Sequence, residues 1–291
     1  MENAAAAPLR PLVSATHQGA NLAHVSQSKS AISFALGSFI MVVRLIKPVL
    51  APVLMAQAKR LRRVALELPE PSGQRHGIAA YPDADSGSRS LSLLIAGDSS
   101  AAGVGAETQA DALASQLAAA LAQRIQRHVH WHLIAQTGLT SIGLLDLLNS
   151  QTLPNLDVAV VIVGVNDITH NVAVGHALRA RSRIVRMLRA GTGVQHILFP
   201  GLPAVERFPL LPQPLAWYGG AQARRNNDLQ ARWAAHTRRS SFVSHVPMDG
   251  FTHPQLMAED GFHPSPILYA MVAAHFAEHL ALKVGVHADP G

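Results

Sequence analysis

The chain has 291 residues, no cysteine and a formal net charge of +6, from 24 Lys and Arg against 18 Asp and Glu. The absence of cysteine excludes disulfides, thiolate nucleophiles and cysteine-ligated zinc. With 48% hydrophobic and 14% charged residues, the composition excludes a largely disordered chain and indicates a globular protein with a substantial core. The sequence also lacks the zinc-finger and aromatic RNA-binding patterns, so no nucleic-acid partner is expected.

The N-terminal region falls into two parts of different composition. Residues 1–30 are rich in Ala, Ser, Asn and Gln, which predicts a loose tail. Residues 31–68 are apolar and then basic, but the uninterrupted apolar part, Ala31–Val43, is too short to span a bilayer. This pattern fits either an interfacial helix, with peripheral membrane contact through residues 31–63, or a helix docked on the protein.

The start of translation affects the predicted location of the protein. A start at Met41 would give a basic beginning, a short apolar run and an Ala-x-Ala sequence at Ala56–Ala58, as in a cleaved signal peptide. Two prolines, Pro48 and Pro52, interrupt the apolar run and count against a signal peptide. We therefore expect a protein that is cytoplasmic or peripheral on the cytoplasmic membrane, and both Met1 and Met41 remain possible starts.

Residues 69–90 are rich in Pro, Gly and Ser and predict a linker, which leads into a folded domain over residues 91–284 and a C-terminal tail over residues 285–291. In the domain, short apolar runs alternate with helix-length segments, which predicts a five-stranded parallel sheet covered by helices on both faces. The predicted strands are Leu91–Ala96, Val129–Ala135, Val158–Gly164, Val194–Phe199 and Ser241–Val246. The predicted helices are Glu107–Arg127, Ser141–Asn149, Val174–Arg189, Ala221–Thr237 and a last helix beginning at Pro264.

One of these helices carries a basic stripe. Arg179, Arg183 and Arg186 recur at helical spacing, which places them on one face. A solvated helix face explains this stripe, and contact with an anionic surface is the alternative.

Residues suited to acyl-transfer chemistry follow the predicted strands. Ser99 stands in "GDSS", Gly138 in "TGLTS", Asn166 in "GVND", and Asp260 and His263 in "DGFHPS". Each short motif alone is also typical of an ordinary turn or helix start. Because the carboxyl ends of parallel strands form one edge of a sheet, however, these residues together offer a nucleophile, oxyanion donors, a base and its orienter.

In these four blocks the sequence resembles the SGNH hydrolases, also called the GDSL esterase/lipase family, over about Leu91 to Leu282. A departure is Ser100, where the family often has Leu or Ile after the serine. The resemblance implies a flavodoxin-like three-layer α/β/α sandwich, no metal and no other cofactor. The fingerprint of a dinucleotide-binding fold is incomplete, because Thr108 stands where "GVGAET" would need a third glycine.

The resemblance also implies a role for each residue. Ser99 would attack an ester carbonyl, His263 would accept its proton, and Asp260 would orient the imidazole. The backbone N–H groups of Ser99 and Gly138, with the side-chain amide of Asn166, would hold the oxyanion. The expected substrate is a small-molecule or lipid ester. Acyl transfer, deacetylation of a carbohydrate and non-catalytic binding at a membrane remain the alternatives.

Two further choices concern the base and the substrate wall. The Asp249/His253 pair repeats the motif with a longer spacing, and Asp260/His263 is preferred because its three-residue spacing matches the family block. The Pro-broken segment Gly201–Gly220 follows the fourth predicted strand and would form either a hydrophobic substrate wall or a cap on the core. The predicted wall residues are Phe208, Leu211, Trp217 and Tyr218.

Overall fold

The computed structural model describes residues 49–61, 63, 66–84, 87–245 and 254–284. The predictions for both terminal tails, for residues 31–48 of the apolar segment and for the Asp249/His253 pair fall outside these described residues. The chain divides into two units, Met1–Pro52 and Val53–Gly291. The first unit lies almost wholly outside the described residues, and the following description concerns the second.

In its described residues the second unit contains a six-stranded sheet in the order β1-β3-β2-β4-β5-β6. Strands β2 to β6 are parallel, whereas β1 pairs antiparallel with β3. The prediction of five parallel strands is therefore corrected to a mixed sheet of six. The strands are β1 (His76–Ala79), β2 (Leu91–Gly97), β3 (Val129–Ala135), β4 (Val158–Ile162), β5 (His196–Pro200) and β6 (Ser240–Val243).

The additional strand, β1, lies in residues 69–90, which were predicted to be a linker. It has four residues, and its burial alternates between exposed and intermediate. An edge strand of this length carries no continuous apolar run, so the hydrophobic pattern gave no sign of it. Residue 91, the predicted start of the folded domain, is the first residue of β2, so the sheet begins earlier in the chain than predicted.

Helices cover both faces of the sheet, as predicted. Helices α3 and α8 pack with β2 and β3 in one apolar cluster, and α4 and α6 pack on the opposite face in another. The arrangement is an α/β/α sandwich, which confirms the predicted fold class. The helices are α1 (described over residues 49–61, of which 53–61 belong to this unit), α2 (Ser99–Ala102), α3 (Leu113–Ile125), α4 (Ser141–Asn149), α5 (Val165–Thr169), α6 (Val174–Thr192), α7 (Leu215–Ala235) and α8 (Pro266–Val284).

The last helix begins at Pro266, two residues after the predicted start. The hydroxyl of Ser265 accepts a hydrogen bond from the backbone N–H of Leu268, so Ser265 caps the helix and proline occupies its favoured first position. Among the described residues, α8 is the one helix long and apolar enough to cross a membrane. Residues along one side of α8, including Tyr269 and Phe276, are buried in the core, so its length and composition are weak evidence for a span.

Candidate active site

The turn after β2 places Ser99 at the carboxyl end of the sheet. Gly97 allows β2 to lie against β4, because a Cβ at this position would lie 2.0 Å from the carbonyl oxygen of Ile162. Asp98 then caps α2, its Oδ1 accepting a hydrogen bond of 3.1 Å from the N–H of Ser100. Ser99 is the first residue of the helix and is 8% exposed.

The predicted base and its orienter meet this serine. Nε2 of His263 lies 2.9 Å from Oγ of Ser99, and Nδ1 of His263 lies 2.5 Å from Oδ2 of Asp260. The other carboxylate oxygen of Asp260 accepts hydrogen bonds of 2.9 Å from the backbone N–H groups of Phe262 and His263. The three side chains therefore form a continuous chain of hydrogen bonds from carboxylate to imidazole to hydroxyl.

These bonds keep Asp260 in its ionised form. Burial alone would raise the pKa of its carboxyl group, but the hydrogen bonds and charge of His263 and the N–H of Phe262 outweigh burial and lower the pKa. An ionised Asp260 accepts the Nδ1 proton of His263, which leaves Nε2 with a lone pair facing Ser99. This tautomer is the one that can accept the serine proton.

Two contacts hold the loop of His263 against the turn of Ser99. A Cβ on Gly105 would lie 2.3 Å from the carbonyl oxygen of Pro264, so only glycine permits this approach. The buried hydroxyl of Tyr269 donates a hydrogen bond of 2.7 Å to the carbonyl oxygen of Val104. His263 and Ser99 are thus fixed to one another although they lie 164 residues apart in the chain.

The predicted oxyanion donors follow the strands on either side of β2. Gly138 follows β3 and has a φ of 85°, a conformation that favours glycine, and a Cβ there would meet nothing within 4 Å. Asn166 follows β4 and lines the same cavity as Ser99. The Nδ2 atom of Asn166 donates a hydrogen bond of 3.1 Å to the carbonyl oxygen of Leu139, which joins the two donor segments.

The cavity beside Ser99 is mainly apolar. Of the four predicted wall residues, Phe208 lines it. The other three do not: Leu211 packs against the core, and Trp217 and Tyr218 lie half-buried in the first turn of α7. Residues that the sequence analysis did not single out complete the lining, among them Ile162, Val163, Leu202, Phe262 and Tyr269.

A series of aromatic contacts connects the cavity wall to His263. The rings of Phe208 and Phe262 meet edge to face with their centroids 5.1 Å apart, and Phe262 meets the imidazole of His263 at 5.2 Å in the same way. Such contacts favour one orientation of each ring. Phe262 directly precedes His263 in the chain, and this adjacency was the sequence signal that could have placed Phe262 at the site.

The segment predicted as a linker also contributes to the site. Oε1 of Glu70 accepts hydrogen bonds from the backbone N–H and the hydroxyl of Thr137, at 2.7 and 2.8 Å, directly before Gly138. Arg75 pairs with the other oxygen of Glu70 and donates to the carbonyl oxygen of Ala135 at 2.7 Å. Burial would raise the pKa of Glu70, but the bonds from Thr137 and the charge of Arg75 lower it.

Comparison with known proteins agrees with this geometry. Residues 95–271 match the model of the GDSL-like lipase/acylhydrolase family. The chain belongs to that family. The predicted resemblance is therefore confirmed.

The chain is also similar to a curated protein and to solved structures, each over part of its length. A GDSL-like esterase of Mycobacterium tuberculosis, Rv1075c, is 27% identical over 190 residues, which cover 62% of this chain and 59% of that protein. The match thus spans less than two thirds of the relative's length. Similar folds include a lipase from a goat rumen metagenome, at 18% identity and a TM-score of 0.50, covering 66% of this chain and 97% of that one. A family two carbohydrate esterase from Clostridium thermocellum has 17% identity and a TM-score of 0.51, over 67% of this chain and 65% of that one.

Proposed function

We propose that this protein is a serine esterase that hydrolyses carboxylic esters through an acyl-enzyme on Ser99. The observation that carries the proposal is the unbroken chain from Asp260 through His263 to Ser99, at 2.5 and 2.9 Å. Such a chain lets a serine hydroxyl lose its proton as it attacks a carbonyl carbon. The family match supports ester hydrolysis in general, and the residue roles are part of the proposal.

The reaction has two halves. Oγ of Ser99 forms a bond to the ester carbonyl carbon while its proton passes to Nε2 of His263. The tetrahedral oxyanion is held by the N–H groups of Ser99 and Gly138 and by the amide of Asn166. Collapse of this intermediate breaks the bond to the alcohol oxygen, which takes the proton from His263. Water then attacks the acyl-enzyme by the same steps, releasing the acid and regenerating Ser99.

The choice of base can be tested against the second candidate pair. We expect His263→Ala to abolish hydrolysis and His253→Ala to retain most of it, with both variants folded by circular dichroism. An inactive His253→Ala together with an active His263→Ala would indicate that the Asp249/His253 pair supplies the base.

The apolar cavity favours an acyl chain over a sugar as the group that occupies it. Leu202, Phe208 and Phe262 offer no side-chain hydrogen-bond groups, whereas a carbohydrate presents several hydroxyls that need partners. The test is a panel of esters from acetyl to long-chain, together with acetylated sugars, against wild type and Ser99→Ala. Wild type should hydrolyse alkyl esters faster than acetylated sugars. Ser99→Ala should hydrolyse neither class of ester. Faster release of acetate from sugars would favour a carbohydrate deacetylase.

An acyltransferase would use the same residues with an alcohol in place of water. Adding a simple alcohol to the panel separates the two activities, because transfer produces a new ester and hydrolysis produces only the acid. We expect the acid to be the main product. A predominance of new ester at modest alcohol concentration would favour transfer.

We also propose that α1 contacts an anionic membrane surface. Among its residues Val53 is 45% exposed and Met55 is 70% exposed, and its last turn carries the exposed cations Lys59 and Arg60. Apolar residues followed by cations fit the boundary between lipid chains and headgroups. The remaining residues of the predicted contact region, 31–48, lie outside the described part of the chain.

Charge reversal tests this contact without truncating the protein. The triple substitution of Lys59, Arg60 and Arg63 by Glu should reduce pelleting with vesicles that contain phosphatidylserine. The matched control reverses three exposed cations of α6, Arg179, Arg183 and Arg186. Equal losses in the two variants would indicate a general effect of net charge, and a larger loss in the control would place the contact on α6.

A further inference from the structure

A fully buried arginine lies beneath the candidate oxyanion hole. Arg181 extends from α6 and is 1% exposed. Its Nε donates to Oγ of Ser141 at 3.0 Å, and its Nη2 donates to Oδ2 of Asp167 at 3.0 Å and to the carbonyl oxygen of Val163 at 3.1 Å. Its Nη1 donates to the side-chain oxygen of Gln230. Each nitrogen of the guanidinium group therefore has a partner.

The carboxylate of Asp167 is equally well paired. Its Oδ1 accepts from the backbone N–H of Ser141 at 2.8 Å, and its Oδ2 accepts from the Ser141 hydroxyl at 2.6 Å as well as from Arg181. Asp167 is 1% exposed and Ser141 is 0% exposed. A buried ion pair of this kind contributes little net stability compared with apolar packing, so stability alone does not account for it.

The explanation lies in where the partners stand in the chain. Ser141 begins α4, three residues after Gly138, and Asp167 directly follows Asn166. The Ser141–Asp167 bonds therefore tie the segment of the glycine donor to the segment of the asparagine donor. The bond from Asn166 to the carbonyl oxygen of Leu139 joins the same two segments.

The fit of the guanidinium group is close. Gly164 precedes α5 with a φ of 146°, and a Cβ there would lie 2.8 Å from Nη2 of Arg181. Lysine could not replace the arginine, because a single ammonium group cannot present the planar fork that reaches Ser141, Asp167 and Val163 together. The arginine thus fixes the end of β4 and the start of α4 in one geometry.

We infer that Arg181 is a positioning residue of the oxyanion hole, acting through Ser141 and Asp167 on the donors Gly138 and Asn166. The inference rests on the proposed function, since it needs an oxyanion to be stabilised. It assigns no contact with substrate to Arg181 itself. Its consequence is that loosening the cluster lowers the rate of the chemical step and leaves substrate binding largely unchanged.

Ser141→Ala is the sharpest perturbation, because it removes one hydroxyl and leaves the direct Arg181–Asp167 pair. We expect kcat to fall about tenfold to a hundredfold with KM changed less than about threefold, since small misplacements of a catalytic group have effects of this size. The matched control is Ser182→Ala, which removes a hydroxyl on α6 that bonds to Leu178 and to the indole of Trp233. The control should lose comparable thermal stability with kcat unchanged.

A double-mutant cycle separates positioning from general destabilisation. If Ser141 acts through the oxyanion donors, Ser141→Ala should cost less in an Asn166→Ala background than in wild type. Equal costs in the two backgrounds, or an equal loss of kcat in Ser182→Ala, would overturn the inference. Arg181→Lys should lower kcat at least as far as Ser141→Ala does, and a fully active, folded Arg181→Lys would also overturn it. The esterase activity of wild type is measured first. An inactive wild type would contradict the proposed function, whereas the results above contradict only the role of Arg181.

Discussion

Replacing Asp98 by Asn should remove a pH-dependent loss of stability. Asp98 is 4% exposed, and burial raises its pKa from an ordinary 3.8 to about 7, although the N–H of Ser100 and the charge of His263 oppose the rise. Nearby Asp167 raises the pKa further. An asparagine keeps the oxygen that caps α2 and cannot ionise, so the substitution isolates the charge.

The sign follows from proton binding. As pH rises from about 4 to 7, unfolded Asp98 has released its proton while folded Asp98 retains it, so the free energy of unfolding falls across this interval. A rise of about 3 units at about 1.4 kcal/mol each corresponds to on the order of 4 kcal/mol. Above pH 7 this loss in the wild type is complete. The unfolding free energy of Asp98→Asn minus that of wild type should therefore be larger above pH 7 than at pH 4.

The assay is urea unfolding followed by circular dichroism at several pH values between 4 and 8. The quantity of interest is the difference in unfolding free energy between Asp98→Asn and wild type, because titrating groups that do not interact with Asp98 contribute equally to both proteins and cancel. Asp146→Asn is the control, since it removes an exposed carboxylate from α4. If the two proteins keep a constant difference from pH 4 to 8, the buried charge of Asp98 does not carry the effect.

Three further predictions concern the site. Asp260→Asn should lower kcat by up to about 10⁴-fold while the fold is retained, because the imidazole loses its orienter; ester hydrolysis by purified variants measures this, and near-normal kcat would contradict it. Asn166→Ala should lower kcat by about a hundredfold or more with little change in KM, as expected for one lost oxyanion donor, and a change confined to KM would refute that role. Phe208→Ala should raise KM for long-chain esters more than for acetate esters, because Phe208 lines the cavity. Trp217→Ala should change KM for both equally. The reverse pattern in the ester panel would indicate that the start of α7 forms the substrate wall.

The parallel strands and the positions of the candidate site residues that follow them were predictable because they depend on local patterns. Short, mostly apolar runs indicated the buried strands, and the predicted range of β3 is the observed one. Chemistry at the carboxyl ends of such strands then placed Ser99, Gly138 and Asn166 on one edge of the sheet. The missed strand β1 has four residues at a sheet edge, where neither face needs to be fully apolar.

The buried polar contacts were not predictable from these patterns. Arg179, Arg183 and Arg186 are exposed on one face of α6, as the spacing indicated. Arg181 stands among them in sequence, but it turns into the core to meet Asp167, which comes from another helix. A pairing between residues 14 apart depends on how α5 and α6 pack, and hydrophobic periodicity carries no information about it.

The substrate wall illustrates the same limit. A Pro-broken segment at the carboxyl edge was a sound indication of a cavity, and Phe208 lies in it. Trp217 and Tyr218 belong to the first turn of α7, which begins six residues before the predicted helix start at Ala221. The helix sets the directions of these two side chains, and neither lines the cavity. Leu202 and Phe262 line it instead.

Covalent labelling of Ser99 tests the central claim most directly. A fluorophosphonate should form one adduct per chain, and peptide mass spectrometry should locate it on Ser99, because phosphonates react with serines that a neighbouring base activates. Labelling should disappear in Ser99→Ala and become much slower in His263→Ala, while both variants keep the wild-type circular dichroism spectrum. An adduct on another residue, or labelling that persists in Ser99→Ala, would contradict the account.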